Sequence, residues 1–246
     1  MVISRAEMSW LDYHAIMSDQ IFVPRVPPAS ESELMERCRA ISGKTLGQLA
    51  ASADVVVPKD LRRHKGWVGG FLESLLGADA GTSARPDFTQ LGIELKTLPL
   101  AATGMPKEST YVCTVDMSEY GEMPWEQSWL RRKLAKVLWL PVEGVSAVPL
   151  IDRYVGMGFL WSPDSQQAAL LRQDWEELME MLLTVGPESV TARQGEVLQI
   201  RPKAANSRMQ VAGLTMDGEQ TQINPRGFYL RPAFTKAILD SNKACR

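Results

Sequence analysis

Two acids and a lysine lie close together in the stretch DFTQLGIELKT, which covers residues 87–97. Six residues separate Asp87 from Glu94, and Lys96 stands two positions after Glu94. The apolar residues around them indicate a β-strand, on which side chains two positions apart point the same way. Glu94 and Lys96 therefore project together, whereas Leu95 points to the opposite face. Because an isolated buried charge is costly, these side chains need either partners or a chemical task.

The three side chains together have the chemistry of a site for phosphodiester hydrolysis. A turn at Gly92 can bring Asp87 next to Glu94, and two carboxylates with open positions suit Mg²⁺, which keeps several waters and binds phosphate oxygens. A lysine beside the metal ion can orient or deprotonate the attacking water, or stabilise the pentacovalent phosphate. The metal ion lowers the pKa of that water. A salt bridge between Glu94 and Lys96 without catalysis is the alternative that this short pattern leaves open.

The composition is that of an ordinary globular protein and excludes several kinds of site. The chain has 246 residues, of which 45% are hydrophobic and 23% charged, enough for one large domain or two lobes that share a core. Two histidines, His14 and His64, are too few for a multi-histidine metal centre, and no serine lies in a G-x-S-x-G motif. Catalysis must therefore use carboxylates and lysines. Three widely spaced cysteines indicate free thiols in a reducing compartment: Cys38, Cys113 and Cys245.

Charge is unevenly distributed, although the net charge is only −2. Basic residues cluster in KDLRRHK (59–65), RRKLAK (131–136), RPKAANSR (201–208) and PRGFYLR (225–231). Such clusters attract phosphate even on a nearly neutral protein. The acids of DWEELME (174–180) recur at helical spacing and are expected to form a solvated face. No apolar run reaches the ~18 residues of a membrane helix, and the amino terminus does not resemble a secretory signal, so a cytoplasmic location is expected.

The hydrophobic pattern predicts helices that flank a mixed β-sheet, an α/β or α+β arrangement. Ser30 with Glu33 forms a capping-box start for the first helix, and Pro163 is expected at the first position of the longest helix. Residues 1–28 are predicted to be an irregular arm, because prolines interrupt any helix there, and residues 29–246 to be a single domain. The predicted helices cover about residues 31–41, 45–53, 65–78, 125–134, 162–183 and 232–242, and the predicted strands about 91–100, 110–117, 136–144, 195–203 and 227–231.

The pattern D-x6-E-x-K resembles the motif of the PD-(D/E)xK nuclease superfamily, and Pro86 precedes the aspartate. A longer series of short sequence segments is a more specific indication of the family. In order, it reads KGWVG, LE-SLLGA, DF-LG-ELKT, RRKL-KVLW-PVEG, DWEELM, TAR-GE-LQIRPKAAN and PRGFYL. From about residue 31 to residue 236, this series resembles the MutH family of DNA mismatch repair endonucleases. The resemblance implies a restriction-endonuclease-like mixed β-sheet flanked by helices, with two lobes that form a DNA-binding cleft.

The resemblance also implies roles for the residues of the DFTQLGIELKT segment. Asp87 and Glu94 match the metal-binding carboxylates, which the backbone carbonyl of Leu95 assists, and Lys96 matches the catalytic lysine. Glu73 matches an acid that supports the active site. The implied cofactor is Mg²⁺.

Residues elsewhere in the chain match DNA contacts of the family. Lys65 and Lys133 match lysines that contact DNA near the scissile phosphate and are needed for cleavage, so that Lys133 also counts as catalytic. Arg201 and Lys203 match a loop that enters the groove at a GATC site, where such side chains read guanine O6 and N7. Tyr229 matches a tyrosine that senses adenine methylation. Without the resemblance, solvated lysines and a core aromatic residue would be the expected reading of these positions.

The chain departs from the family pattern at several points. Tyr111 stands where the pattern has a phenylalanine near the DNA site, and Arg132 stands where it has a histidine. The arm over residues 1–28 is longer than in the pattern, and Met8 or Met17 are alternative starts. The end of the chain, DSNKACR, matches poorly, which weakens the transfer of partner activation.

The function implied is that of a monomeric, Mg²⁺-dependent endonuclease that nicks the unmethylated strand 5′ to the G of hemimethylated GATC sites. Activation by the ATP-bound MutL protein is part of the same expectation. A related type II restriction endonuclease that cuts both strands at GATC is the nearest alternative. A DNA-binding subunit with a vestigial site is the second.

Overall fold

The structure is a computed structural model that describes residues 26–61, 64–81, 85–115, 123–186, 189–203, 211–214 and 220–244. Its α-helices are α1 (Glu31–Ile41), α2 (Leu46–Ser52), α3 (Trp67–Leu76), α4 (Trp129–Leu134), α5 (Ser165–Val185) and α6 (Pro232–Ala244). Its strands are β1 (Glu94–Leu100), β2 (Thr110–Thr114), β3 (Val137–Glu143), β4 (Phe159–Trp161), β5 (Leu198–Pro202), β6 (Val211–Leu214), β7 (Gln220–Ile223) and β8 (Arg226–Leu230). Residues 1–25 of the predicted arm and residues 204–208 of the basic RPKAANSR segment lie outside the described residues.

Side-chain caps determine where the helices begin. Ser30 caps α1 by accepting a hydrogen bond from the N–H of Glu33. Helix α5 begins at Ser165, and Asp164 is its N-cap, so the expected start at Pro163 is wrong. The carboxylate of Asp164 satisfies an N–H of the first turn that would otherwise lack a partner. Within the described residues, no helix is both long enough and apolar enough to cross a membrane.

Helix α5 contains a buried acid that the sequence did not reveal. Asp174 is 4% exposed, and its carboxylate accepts hydrogen bonds from the N–H groups of Glu196, Val197 and Leu198 at 2.6–2.9 Å. A solvated face formed by every acid of the 174–180 segment is therefore the wrong interpretation for Asp174. The contact fastens the middle of α5 to the beginning of β5.

The strands of the described residues form three sheets instead of the single mixed sheet that the sequence predicts. In the first sheet, β3 lies between β1, which is parallel to it, and β4, which is antiparallel. In the second sheet, β8 lies between β2 and β5, and both pairings are antiparallel. Strands β6 and β7 form a separate antiparallel pair in a stretch for which the sequence predicts neither a helix nor a strand. The class is therefore α/β in the broad sense, with two small sheets flanked by helices.

Two clusters of buried apolar side chains meet on the first sheet. The first cluster contains the buried residues of the second sheet together with α4, α5 and α6, and the second cluster contains α1, α2 and α3. Strand β3 contributes side chains to both clusters, because Trp139 belongs to the first cluster and its neighbour Leu138 to the second. On β1, Leu98 belongs to the first cluster and Leu95 to the second. By alternation, the even-numbered side chains of β1 face the second sheet.

Candidate active site

Glu94 and Lys96 project from the first residues of β1 toward the second sheet and contact each other. Glu94 is 2% exposed, and Lys96 Nζ donates to Glu94 Oε1 at 2.6 Å. Strand β1 is held in register by its parallel partner, because the N–H of Glu94 bonds to the carbonyl of Lys136 at 3.0 Å. The two-residue alternation thus produces the pair that the sequence predicts.

Asp87 is brought back to β1 by a closed turn. Phe88 and Ile93 exchange backbone hydrogen bonds at 2.9 and 3.3 Å, and Gly92 adopts a φ of +64°, a conformation that glycine accepts without strain. The Asp87 Oδ2 atom accepts from the N–H of Leu95 at 2.7 Å. The carboxylates of Asp87 and Glu94 therefore lie on the same part of β1.

Lys133 reaches the same carboxylate from helix α4. Its ammonium group donates to Glu94 Oε2 at 2.8 Å and to Oε1 at 3.0 Å, and it also contacts the carbonyl of Arg85 at 3.4 Å. Glu94 Oε1 thus accepts from both Lys96 and Lys133, and Oε2 accepts from Lys133. Lys133 is part of the site and is not a solvated surface lysine.

Glu73 completes a group of three carboxylates. It lies on α3, where burial and then the neighbouring Asp87 raise its pKa to about 7, although Lys96 acts in the opposite direction. Burial and then Glu94 also raise the pKa of Asp87. Three acids in one poorly hydrated place cannot all ionise without cost, so the site attracts protons or other cations.

Lys96 keeps its proton in this environment. Burial by itself would lower its pKa, but the adjacent Glu94 and the nearby Asp87 carboxylates outweigh burial and raise it. A lysine that stays an ammonium at neutral pH donates hydrogen bonds and positive charge. In this arrangement Lys96 is suited to orient a water or to stabilise a phosphate oxygen, and it is not suited to accept a proton.

The free edge of β1 offers a further oxygen beside the carboxylates. Because the N–H of Glu94 points toward β3, the N–H and carbonyl of Leu95 point away from the sheet, where Asp87 already binds the N–H. Among the described residues, no group of three or more His, Cys, Asp or Glu side chains is arranged to hold a metal ion. The donors available are two carboxylates and one carbonyl, all hard oxygens, which fits a divalent cation that completes its shell with water and phosphate.

The second sheet carries four predicted DNA-contacting residues, of which Tyr111 lies nearest to Lys96, with its ring 5.9 Å from Lys96 Nζ. Tyr111 on β2 pairs in register with Tyr229 on β8, and their rings meet edge to face at 5.4 Å. Arg201 lies over the Tyr229 ring at 5.7 Å, and Lys203 lies over the Tyr111 ring at 4.5 Å. Tyr229 is therefore an aromatic residue at the site and not a residue of the apolar core.

One cavity of about 380 Å³ extends from Glu73 and Lys96 to the aromatic residues of the second sheet. Glu73 and Lys96 line one part of it, and Tyr111 and Tyr229 line another. Lys65 is exposed and precedes Gly66, a further lining residue, so it lies at the edge of the cavity and not in the carboxylate cluster.

Three polar residues in or next to the cavity were not predicted from the sequence. Glu108 lines the cavity, Ser109 Oγ accepts from Arg201 Nη1 at 2.7 Å, and Thr114 Oγ1 accepts from Lys203 Nζ at 2.9 Å. Alternation was the available signal for Ser109, which stands two positions before Tyr111 and shares its face of β2. Thr114 reaches that face through the shift in strand register between Tyr111 and Cys113, which the sequence pattern does not show.

Comparison with known proteins gives the same family over nearly the whole chain. The model of the DNA mismatch repair enzyme MutH matches residues 76–174. The chain is 48% identical over 217 residues to the DNA mismatch repair protein MutH of a Shewanella species (strain MR-7), which covers 88% of this chain and 97% of that protein. It is 49% identical over 217 residues to the protein of the same name from Yersinia enterocolitica, covering 88% and 95%. The chain belongs to the MutH family of DNA mismatch repair endonucleases. The MutH match at residues 76–174 includes the closed turn, strand β1 and helix α4, and hence Asp87, Glu94, Lys96 and Lys133.

Proposed function

We propose that this MutH-family enzyme nicks the unmethylated strand 5′ to the G of hemimethylated GATC sites, with Mg²⁺ as cofactor. The observation that carries the proposal is the cavity that Leu95 and Lys96 line together with Tyr111 and Tyr229. Leu95 binds the Asp87 carboxylate through its N–H, and Lys96 binds the Glu94 carboxylate through its ammonium group. Groups suited to hydrolyse a phosphodiester and groups suited to read bases therefore share one space.

The carboxylates and the lysines have distinct tasks in this proposal. Asp87, Glu94 and the Leu95 carbonyl hold the divalent cation, which when bound supplies positive charge and a more acidic water. Lys96 donates a hydrogen bond to the attacking water or to the phosphate oxygen on which charge develops. Glu73, whose pKa is about 7, exchanges a proton close to neutral pH and supports the charge balance of the site.

Two lysines bind the phosphate backbone. Lys133 contacts a phosphate next to the scissile bond. To do so, its ammonium group either leaves Glu94 or keeps one of its three N–H donors bonded to Glu94. Lys65 contacts the backbone from the edge of the cavity. Lysine acts on phosphate as a point charge, which fits a position-holding role.

Side chains of the second sheet recognise the bases of the GATC sequence. Arg201 and Lys203 are exposed at the end of β5, and such side chains bind guanine O6 and N7 in the major groove. Tyr229 is half-buried against Tyr111, and burial raises the pKa of its hydroxyl, so it stays neutral and accepts from the N6 amine of adenine. A methyl group on that amine would clash with the constrained ring, which gives methylation sensitivity.

The proposed architecture is a restriction-endonuclease-like fold of two lobes, one around each apolar cluster, with residues 29–246 as one domain. The enzyme acts as a monomer and is activated by the ATP-bound MutL protein. A type II restriction endonuclease that cuts both strands at GATC is the second candidate, favoured by the same cavity. A vestigial site is disfavoured, because the acids and lysines keep hydrogen-bonding contact.

The deciding experiment incubates the protein with Mg²⁺ and plasmids that carry unmethylated, hemimethylated or fully methylated GATC sites, with and without MutL and ATP. Nicks confined to the unmethylated strand and increased by MutL are expected. Lys96→Ala should abolish nicking and leave DNA binding largely intact, because this lysine acts in the transition state. Double-strand cutting by the protein alone would favour the restriction enzyme, and no cleavage under any condition would favour a vestigial site.

A further inference from the structure

The ammonium group of Lys203 is held by two hydroxyl groups of strand β2. Lys203 Nζ donates to the Tyr111 hydroxyl at 2.6 Å and to Thr114 Oγ1 at 2.9 Å. The two hydroxyls also bond to each other at 2.9 Å. The three polar groups thus form a closed triangle on the exposed side of the second sheet. Its members come from strand β2 and the residue that follows β5, so it depends on the tertiary fold.

The backbone of the same residue is also fixed. The N–H of Lys203 bonds to the carbonyl of Pro225 at 2.7 Å, which extends the pairing of β5 with β8. Both ends of a long and otherwise mobile side chain are therefore held before any DNA arrives. A free lysine loses much more rotamer freedom when it binds a partner.

The aromatic ring that carries the hydroxyl is itself closely confined. Tyr111 contacts the edge of Tyr229 and lies 5.9 Å from Lys96 Nζ. On strand β8, Gly227 faces the ring, and a Cβ atom there would lie 2.8 Å from Tyr111 Cε2. Only a residue without a side chain leaves room for the ring in this position, so the direction of the hydroxyl is set by the sheet.

We propose that Tyr111, together with Thr114, is a positioning element for Lys203 and thereby determines discrimination at the G·C pairs of the site. An ammonium group has three N–H donors. The two hydroxyls accept from two of them and leave the third for a guanine acceptor, so Lys203 binds its base without leaving the triangle. This inference rests on the proposed function, because it assumes that Lys203 reads a base.

The test compares Tyr111→Phe with the unchanged protein, since phenylalanine keeps the ring and removes only the hydroxyl. Binding is measured without divalent metal, by fluorescence anisotropy, on two duplexes: one with a hemimethylated GATC site and one in which both G·C pairs are replaced by A·T. For Tyr111→Phe the ratio of the two affinities should fall about three- to tenfold, the range expected when one lysine must be ordered on binding. Affinity for the substituted duplex should not change. Tyr154→Phe, which removes a hydroxyl outside the cavity, is the matched control.

A double-mutant cycle separates positioning from a general structural effect. In a Lys203→Met background, Tyr111→Phe should leave the affinity ratio unchanged, because the group that it positions is gone. The inference is overturned if Tyr111→Phe lowers the affinity ratio equally in the Lys203→Met background. It is also overturned if the Tyr111→Phe protein has the same affinity ratio as an unchanged protein that distinguishes the two duplexes. If the unchanged protein does not distinguish the two duplexes, both the base-reading function and the inference fail.

Discussion

The Glu94 carboxylate is both a proposed metal ligand and the acceptor of two ammonium groups. Its two oxygens accept from Lys96 and Lys133 at 2.6–3.0 Å, and the side chain is almost fully buried. A divalent cation at this carboxylate must therefore displace at least one lysine or share an oxygen with it. Lys133 is the more readily displaced of the two, because it comes from a separate helix and not from the same strand.

Removing Lys133 should therefore strengthen metal binding in the absence of DNA. Lys133→Met deletes a positive charge within 3.0 Å of the acceptor, and we expect Mn²⁺ to bind about tenfold more tightly or better, since like charges a few ångströms apart repel strongly in a partly buried site. Isothermal titration calorimetry measures the affinity directly. Lys136→Met, which removes a surface partner of Glu31, is the control. Equal or weaker Mn²⁺ binding by Lys133→Met would show that its ammonium does not compete with the cation.

Glu73 makes the stability of the metal-free enzyme depend on pH. Its pKa is about 7 in the folded protein against an ordinary value of 4.5, so the native state binds this proton more tightly than the unfolded state. The resulting stabilisation is present at low pH and is lost as the pH rises from about 4.5 to about 7.

Glu73→Gln should remove that dependence. Between pH 5 and pH 8, the unchanged protein should lose up to about 3 kcal/mol of unfolding free energy relative to the variant, the upper bound set by the pKa difference. Urea unfolding with a chelator at both pH values gives the comparison, and Glu177→Gln on the exposed face of α5 serves as the control. A difference between unchanged protein and variant that stays constant with pH would mean that Glu73 is not perturbed in the folded state.

At the scale of elements, the contact of α5 with β5 supports the reading residues. Asp174 binds three consecutive N–H groups that precede and begin β5, the strand that ends next to Lys203. Gly195 makes this approach possible, because it has a φ of +81° and any Cβ there would lie 2.2 Å from the carbonyl of Leu198. The exposed end of β5 is thus held by an anchor on its buried end.

Asp174→Ala should destabilise the protein by about 2–4 kcal/mol, because it leaves buried N–H groups without an acceptor. Chemical denaturation measures the change, and Glu177→Ala on the same helix should remain within about 0.5 kcal/mol of the unchanged protein. If Asp174→Ala were as stable as that control, water would have to replace the carboxylate, and α5 would not be an anchor for β5.

Helices and strands with a regular hydrophobic period were predictable from the sequence, whereas contacts between elements far apart in the chain were not. Strand β1 follows from alternation around Glu94 and Lys96, and the turn that returns Asp87 follows from Gly92. Strand β4 has only three residues, too few for a period to be visible, and its place in the sheet depends on β3. The acid at Asp174 repeats with its exposed neighbours, so the local pattern does not distinguish it.

The contact of Lys133 with Glu94 spans 39 residues of sequence and depends on how α4 packs against β1. No local pattern contains that information, and only the resemblance to the MutH family indicated a role for this lysine. The same holds for the triangle of Lys203, Tyr111 and Thr114, which joins positions 89 and 92 residues apart.

In the whole molecule, strand β3 couples the two apolar clusters. Its alternate side chains belong to different clusters, and β1, which carries the acids, is its parallel neighbour. The carboxylates therefore stand where the helices α1 to α3 on one face and the second sheet on the other share a strand. A site built at this junction receives Glu73 from one cluster and Lys133 from the other.

The distribution of charge over the whole molecule determines how it attracts DNA. The net charge of −2 gives no overall attraction to DNA, so binding must come from the local field of the lysines and arginines around the cavity. Each side chain that neutralises a phosphate releases a counterion, which makes affinity fall with salt in proportion to the number of such contacts.

Lys65 should be one of these contacts, because it is exposed at the edge of the cavity. Lys65→Ala should weaken binding to any duplex by a similar factor and make the slope of log affinity against log salt less steep by about 0.9. Anisotropy titrations at four salt concentrations, on a duplex with and a duplex without GATC, measure both effects. Lys44→Ala, an exposed lysine that does not line the cavity, should keep the original slope. A change in GATC preference with an unchanged slope would instead assign Lys65 to base reading, and the field around the cavity would then rest on fewer residues than proposed.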